Sequence, residues 1–476
     1  MSTLAPYRSS YPLPADAPPV RAGGHVSPRR VHTAAALERI LGAAERVYAV
    51  VLLLVFSSAV LPLLNGSADG AANLEEGDPH RQAIRAALFA LALVFTFLRP
   101  PGEVFAAALR SPATLLLVGL ALASAAWSEF PDITLRRAVA VAGTTFCGFW
   151  LAGRFRGREF LPILGWALGI AAVLSVAFAV LLPGLGIHHD ELDGAWRGVF
   201  QHKNGMGRVM ALGTLTFLLL AQRPGASGRR RAYLALAALS VALVLLSRSA
   251  SSLVALGVLL ALVPLYRTLA SRSAWLVPAA IAVALPVTAL VLFVASDPQA
   301  ALGLLGKDAS LTGRTELWGS AAASLQDRLL GGYGYDAFWQ LNAHALTIYA
   351  AVGWEPWHAH NGFLDLGLEL GVVGIVLFAA AFFGAVRRAT GAVLAGAREE
   401  GLWMLSFLSF MLLGNLTESS ILAQNLHWLL FVATAAMAVG VPAPAAAPAG
   451  PRTRLSPGVR LRARRRPGAR AAAGEG

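Results

Sequence analysis

Residues 161–183 read LPILGWALGIAAVLSVAFAVLLP, an apolar run of 23 residues without a single charge, preceded by Arg154, Arg156 and Arg158. About 20 such residues in a helix cross the hydrocarbon of a bilayer. The run is continuous rather than alternating, which indicates a helix and not a barrel strand. Similar runs recur on both sides, and they predict helices near 47–64, 84–98, 112–127, 138–152, 161–183, 204–221, 232–247, 251–266, 274–295, 362–385, 401–415 and 425–440. The fold expected is therefore all-α, a polytopic membrane bundle of about twelve transmembrane helices with one long periplasmic loop at 296–361. With 56% hydrophobic and 14% charged side chains over 476 residues, the composition excludes an ordinary soluble protein.

The charges set the orientation. Of the 39 Lys and Arg, 28 fall in the two tails and in loops such as those around Arg99, Arg154, Arg223, Arg230 and Arg388, all on one side of this topology. By the positive-inside rule that side is cytoplasmic, so both termini are expected inside and the first helix to act as an uncleaved anchor. The net charge of +13 thus reports topology and not nucleic-acid binding. Residues 1–45 and 441–476, rich in Pro, Ala, Gly and Arg, are expected to stay unfolded against anionic headgroups, flanking a membrane domain over 46–440. The single cysteine, Cys147, sits in an apolar run and offers neither an intrachain disulfide nor a cysteine metal site.

Three stretches on the side that normally lacks cations carry the candidate chemistry. In the first, Trp196 to Arg208, the cations Arg197, Lys203 and Arg208 fall within twelve residues among glycines at the start of a helix, where free backbone N–H groups and the dipole favour an anion. An interfacial belt of Trp and Arg is the plainer alternative, as is snorkelling of Arg208. In the second, Thr312 caps a helix along the membrane with an apolar stripe of Trp318, Ala321, Leu325 and Leu329, and Arg314 sits in its first turn, where a cation is unfavourable unless an anion joins it. The segment Gly331-Gly332-Tyr333-Gly334-Tyr335 follows, either a flexible aromatic lining for a carbohydrate path or an ordinary turn. In the third, His358-Ala359-His360-Asn361-Gly362 leads into a helix whose Asp365 and Glu369 share a face with Asn361. A histidine there suits a general base near neutral pH, with a structural His–carboxylate pair as the competing account. The pair His358 and His360, and the run His188-His189-Asp190-Glu191, lack a recognised metal spacing with the remaining ligands, so no metal is assigned.

Taken in order, Arg197 to Gly207, Thr312 to Trp318, Gly332 to Tyr335 and His358 to Asp365 resemble the successive signature blocks of the O-antigen ligase and O-antigen polymerase superfamily, and the His-Lys-Asn block resembles its exopolysaccharide production polymerase branch. The resemblance covers 190–385 in sequence and the whole chain in topology; the blocks are specific jointly and weak singly. It implies a glycosyltransferase with a polyprenyl-diphosphate-linked glycan as donor and a glycan or lipid-core hydroxyl as acceptor, working at the periplasmic face with no cofactor and no metal. Membrane lipids and other polysaccharide assembly proteins are the partners it suggests, and nucleic acid is not among them. By the same resemblance Arg197, Lys203 and Arg314 hold the diphosphate, His360 serves the acceptor, and Arg248 in Ser247 to Ser252 lines the cavity; His202, Asn204, Arg208, Asn361 and Asp365 complete the substrate-binding set. A twelve-helix secondary transporter or polysaccharide exporter is the alternative from another class, since such proteins also place charges between membrane repeats. The clustering of these residues on one face and in one loop favours surface chemistry.

The orientation makes a direct prediction: reporter fusions after Gln222 and after Arg388 should report cytoplasm, and fusions near Asp190 and Gln326 the outer side. A cytoplasmic signal near Gln326 would remove the basis for an outer-face site.

Overall fold

The computed structural model describes residues 28–59, 79–189, 194–223, 225, 227–272, 314–340 and 342–438. Its helices are α1 (Pro28–Phe56), α2 (Pro79–Phe97), α3 (Gly102–Leu109), α4 (Pro112–Ala123), α5 (Pro131–Arg154), α6 (Gly157–Leu181), α7 (Lys203–Ala221), α8 (Arg230–Leu246), α9 (Ala250–Arg272), α10 (Arg314–Asp327), α11 (Ala343–Val352), α12 (Gly362–Leu394), α13 (Arg398–Gly414) and α14 (Leu426–Ala436). Among the described residues there is no β-strand beyond one bridge between Ile187 and Trp196. Helices occupy eleven of the twelve expected positions, and the ninth, 274–295, lies outside the described residues.

Among the described residues four helices are long and apolar enough to cross a bilayer: α6, α7, α9 over Ala250–Thr268, and α12. A fifth span arises if α2 and α3 are one broken crossing, bent by 114°. Pro100 and Pro101 cause that bend, because neither can donate to a helix and each biases the residue before it away from helical geometry. α1 begins at Pro28, so the part of the N-terminal tail from 28 to 45 is helical where an unfolded tail was expected, and its Glu38 and Glu45 pair with Arg99, both at 3.2 Å.

Close approach and interhelical hydrogen bonds hold the bundle together. Gly148 lies against Val432, and Gly153 against the backbone of Val104, spacing that only a missing Cβ allows. The fully buried indoles of Trp403 and Trp428 donate to Thr216 Oγ1 and Thr145 Oγ1, both at 2.9 Å, and the Tyr48 hydroxyl donates to the Leu88 carbonyl at 2.7 Å. Cys147 is buried and unbridged. At one end of the bundle the arginines gather: Arg154 faces Glu45 at 3.5 Å, Arg156 pairs with Glu103 at 2.9 Å, and Arg110 donates to the Ala436 carbonyl at 2.7 Å. Arg154 also donates to the Phe95 and Thr96 carbonyls at the C-terminus of α2, where a cation meets the dipole favourably.

At the other end α10 and α11 build a second apolar core from Leu317, Ala321, Tyr333, Phe338, Ile348 and Leu368. The face of α10 that is buried runs through Leu317 and Ala321 with Trp318 and Leu325 beside them; Leu329, expected on the stripe, lies past the end of the helix and is 48% exposed. α12 is interrupted at Gly371, with φ 64° and ψ −166°. The segment after α10 plugs the break. The amides of Tyr333 and Gly334 donate to the Leu368 and Glu369 carbonyls at 2.8 and 2.9 Å, while the carbonyls of Leu329 and Leu330 accept from Val372 and Val373 at 2.8 and 3.4 Å. Four backbone groups at the kink are thereby satisfied, as a segment in lipid requires.

Only glycine fits this conformation at 371, and a Cβ there would strike the Leu330 carbonyl. Gly371→Ala should therefore cost roughly 3 kcal/mol or more, from backbone strain of ~1–3 kcal/mol plus lost strap contacts. Gly391→Ala, in the same helix with open space around it, should be neutral or slightly stabilising. Thermal unfolding in detergent separates the two, and equal melting temperatures for both variants would contradict the interlock.

Candidate functional site

The turn 358–362 is held by groups from three other segments. Asn361 caps α12, its Oδ1 accepting from the Phe363 and Leu364 amides at 3.1 and 3.2 Å. Asp365, one turn on and 7% exposed, accepts from the Ala359 amide at 2.9 Å and the Trp339 indole at 2.7 Å, and also from the Ser419 hydroxyl. The Trp318 indole donates to the Ala359 carbonyl at 2.8 Å, and the Gly362 amide to the Asn415 carbonyl at 2.8 Å. Within this frame His360 adopts φ 51°, a left-handed conformation uncommon for a residue with a Cβ. Strain of this kind persists only where the surroundings over-determine it.

That conformation brings the two imidazoles together edge to face. The His358 and His360 rings lie 4.1 Å apart, and the His360 amide donates to His358 Nδ1 at 2.9 Å. A nitrogen that accepts carries no proton, so His358 is protonated on Nε2 when neutral. Glu418, from the segment between α13 and α14, brings a carboxylate oxygen within 4.8 Å of a nitrogen of each histidine. A nitrogen of Arg208 lies 4.0 Å from a Glu418 oxygen. The expected pairing of histidine with Asp365 takes a different form: Asp365 fixes the backbone of the turn, and the carboxylate beside the imidazoles is Glu418.

The segment 196–208 forms the adjoining wall. Lys203 opens α7, with its amide donating to His188 Nε2 at 3.3 Å. His202 caps α7, Nδ1 accepting from the Asn204 amide at 3.2 Å, which requires a neutral ring. Desolvation and the neighbouring His188 hold that imidazole below the ordinary histidine range, with Glu418 opposing them. Asn204 Oδ1 accepts from the Ser249 hydroxyl at 2.9 Å, and Ser249 bonds Ser252 at 2.9 Å, which ties α7 to the start of α9 beside Arg248. Arg248 shares the left-handed backbone of His360, with φ 49°. Arg197 is largely buried, and its guanidinium donates to the Leu185 and Gly184 carbonyls at 2.9 and 3.3 Å, so two of its five N–H groups hold the preceding turn.

The structure thus brings His202, Lys203, Asn204, Arg208, Arg248, His360, Asn361 and Asp365 to one end of the bundle, with Arg197 at the edge, anchored to backbone. α10 starts at Arg314, one turn before the Trp318 that touches Ala359; the side chain of Arg314, and all of Lys307 and Thr312, lie outside the described residues. The 331–335 segment is neither a flexible lining nor an ordinary turn: Tyr333 and Tyr335 are buried, and the Tyr335 hydroxyl donates to the Leu422 carbonyl at 2.6 Å. Glu418, Ser419 and Trp339 are residues around the turn that sequence reasoning passed over, and Trp318, read there as part of an apolar stripe, also donates a hydrogen bond to it. The polar run Asn415 to Ser420 between two apolar helices was the available signal, since an ionisable residue at such a position is costly unless used.

A helical membrane protein that gathers imidazoles, a carboxylate and cations at one end of its bundle, under a cap of two short helices, is the class this arrangement defines. Residues 234–379 match the family model described as O-antigen ligase. The chain is also 29% identical over 283 residues to the exopolysaccharide production protein ExoQ of Rhizobium meliloti (strain 1021), an alignment that takes in 55% of this chain. The chain spans 62% of the length of that relative. Both likenesses point the same way as the resemblance carried by the sequence blocks, three of which fall within 234–379.

Asp365→Asn tests the frame. The amide replaces a carboxylate oxygen with a donor where every partner is a donor, leaving a buried group unsatisfied at about 1–3 kcal/mol. Hydrogen exchange should speed up across 357–361, with a lower melting temperature; unchanged exchange there would mean that Asp365 does not hold the turn.

Proposed function

We propose that this protein is an inner-membrane glycosyltransferase that polymerises or ligates polyprenyl-diphosphate-linked oligosaccharides at the periplasmic face, its chain crossing the membrane about twelve times with both termini in the cytoplasm. The observation that carries the reading is the juxtaposition of the His358–His360 pair with Glu418 and Arg208, a base beside a cation at the entrance of an apolar bundle. The likeness to the O-antigen ligase model and to an exopolysaccharide production protein supports the same chemistry.

A polyprenyl diphosphate is already a good leaving group, so the enzyme has to neutralise it and aim an acceptor at the anomeric carbon. The acceptor hydroxyl attacks that carbon, its proton passes to His360, and the anomeric C–O bond breaks with its electron pair leaving on the diphosphate. Protein cations meet the departing charge, so neither nucleotide nor metal is needed. Lys203, Arg208, Arg248 and Arg314 are assigned this task, with Arg197 contributing whatever its backbone contacts leave over. Arginine suits it because its planar fork pairs with phosphate oxygens in a poorly solvated site. Asn204, His202 and Asn361 shape the acceptor side, and Asp365 positions His360 through Ala359.

Deleting the gene and analysing surface glycan tests the reading. Loss of chain length with single repeats retained identifies a polymerase, accumulated lipid-linked polymer identifies a ligase, and an unchanged glycan contradicts both. At the level of residues, His360→Ala should lower transfer by about 10²–10⁴-fold while leaving lipid-linked donor binding nearly intact, because a base acts on the acceptor. Arg314→Lys keeps the charge and loses the fork, so it should fall sharply, with Arg314→Ala at least as severe, on the order of 10²–10³-fold. Wild-type turnover by folded, membrane-inserted His360→Ala would move the acceptor role elsewhere, to His358 or Asp365.

A further inference from the structure

The sequence offered His358 and His360 without the remaining ligands of a metal site, and the fold supplies the next one, Glu418, from 58 residues further along. One donor atom from each of the three lies within 4.8 Å of the others. In a tetrahedral shell with bonds of about 2.0–2.1 Å the donors stand roughly 3.3 Å apart, so modest side-chain rotation closes the set. Two imidazoles and one carboxylate, all partly exposed, match the donor chemistry of an open zinc site.

We propose that His358, His360 and Glu418 bind a single divalent transition-metal ion of the Zn²⁺ type, and that its occupancy switches glycan transfer off. The inhibition rests on the reading of His360 as the base, because a metal bound to its lone pair leaves nothing to accept the hydroxyl proton; the binding site itself does not depend on that reading. Two local features oppose the metal. Arg208 sits 4.0 Å from a Glu418 oxygen and competes for it. Coordination of His358 through Nε2 would shift its proton to Nδ1 and give up the hydrogen bond from the His360 amide. One neutral hydrogen bond is a minor loss against the gain from three zinc ligands, and its release also frees the left-handed turn that presents His360. Because ligation displaces protons, metal affinity should rise with pH.

The test uses the full chain in detergent, stripped with EDTA and titrated with Zn²⁺ by calorimetry and with Co²⁺ by its visible d–d bands, without any glycan. One ion per chain is expected, with affinity reduced at least about 100-fold in His358→Ala and in Glu418→Gln, and largely kept in Glu418→Asp. Monodisperse elution and an unchanged melting temperature qualify each variant as folded. Absence of binding by the wild type, or undiminished binding by either folded variant, overturns the site while leaving the proposed transferase untouched. In a transfer assay Zn²⁺ should inhibit the wild type and EDTA should relieve it. Loss of transfer in EDTA that Zn²⁺ restores would instead overturn the switch and the metal-free reaction together.

Discussion

A helix surrounded by lipid has no water to receive a backbone group that its own turns release, and α12 breaks its hydrogen bonding at Gly371. The rest of the site depends on how that break is repaired. Four backbone groups of the 329–334 segment close it, two as donors and two as acceptors, so the cap formed by α10 and α11 is fastened to the bundle through backbone. The strap is held in turn from the side. The Trp127 indole donates to the Gly331 carbonyl at 3.1 Å, and the Tyr335 amide donates to Ser124 Oγ at 2.9 Å.

From this fastening the constraint passes to the imidazoles in a short chain of contacts. The strap leads into Trp339, whose indole donates to Asp365; Asp365 accepts from the Ala359 amide, and Trp318 of α10 donates to the Ala359 carbonyl. Ala359 is therefore clamped on both of its backbone groups, and its neighbour His360 is obliged to turn left-handed. Side chains held in this way carry little disorder into a reaction, which is what a general base aimed at one hydroxyl requires. Asn415 does the same work on the other flank, its Oδ1 accepting from the Ser420 and Ile421 amides at 2.8 and 3.1 Å and so shaping the loop that presents Glu418.

How much of this was legible in the sequence follows from what each signal measures. Hydropathy located the helices, because a run such as 161–183 has one physical use, and the placing of Asp365 one turn beyond Asn361 followed from helical spacing. Neighbours remote in the chain were not legible. Glu418 meets His358 and His360 across a gap that spans α12 and α13, and no local periodicity reports such a contact. Gly331 to Tyr335 misled for a related reason: glycine and tyrosine together suggest a mobile lining, whereas here Gly332 permits backbone to approach the Leu368 and Glu369 backbone beside the kink at Gly371. Arg197 shows the limit of motif reading as well, since a guanidinium in a family-like block is partly consumed by carbonyls of the preceding turn.

In the proposed reaction an acceptor hydroxyl deprotonated at His360 attacks the anomeric carbon directly while cations hold the leaving diphosphate. Direct displacement inverts the configuration at that carbon, whereas a covalent glycosyl-enzyme intermediate would retain it through two inversions. The most direct measurement is the anomeric configuration, by nuclear magnetic resonance, of the linkage formed when the purified protein in lipid nanodiscs is given a polyprenyl-diphosphate-linked repeat of known configuration. The account predicts inversion with stoichiometric release of polyprenyl diphosphate. A retained configuration would contradict it.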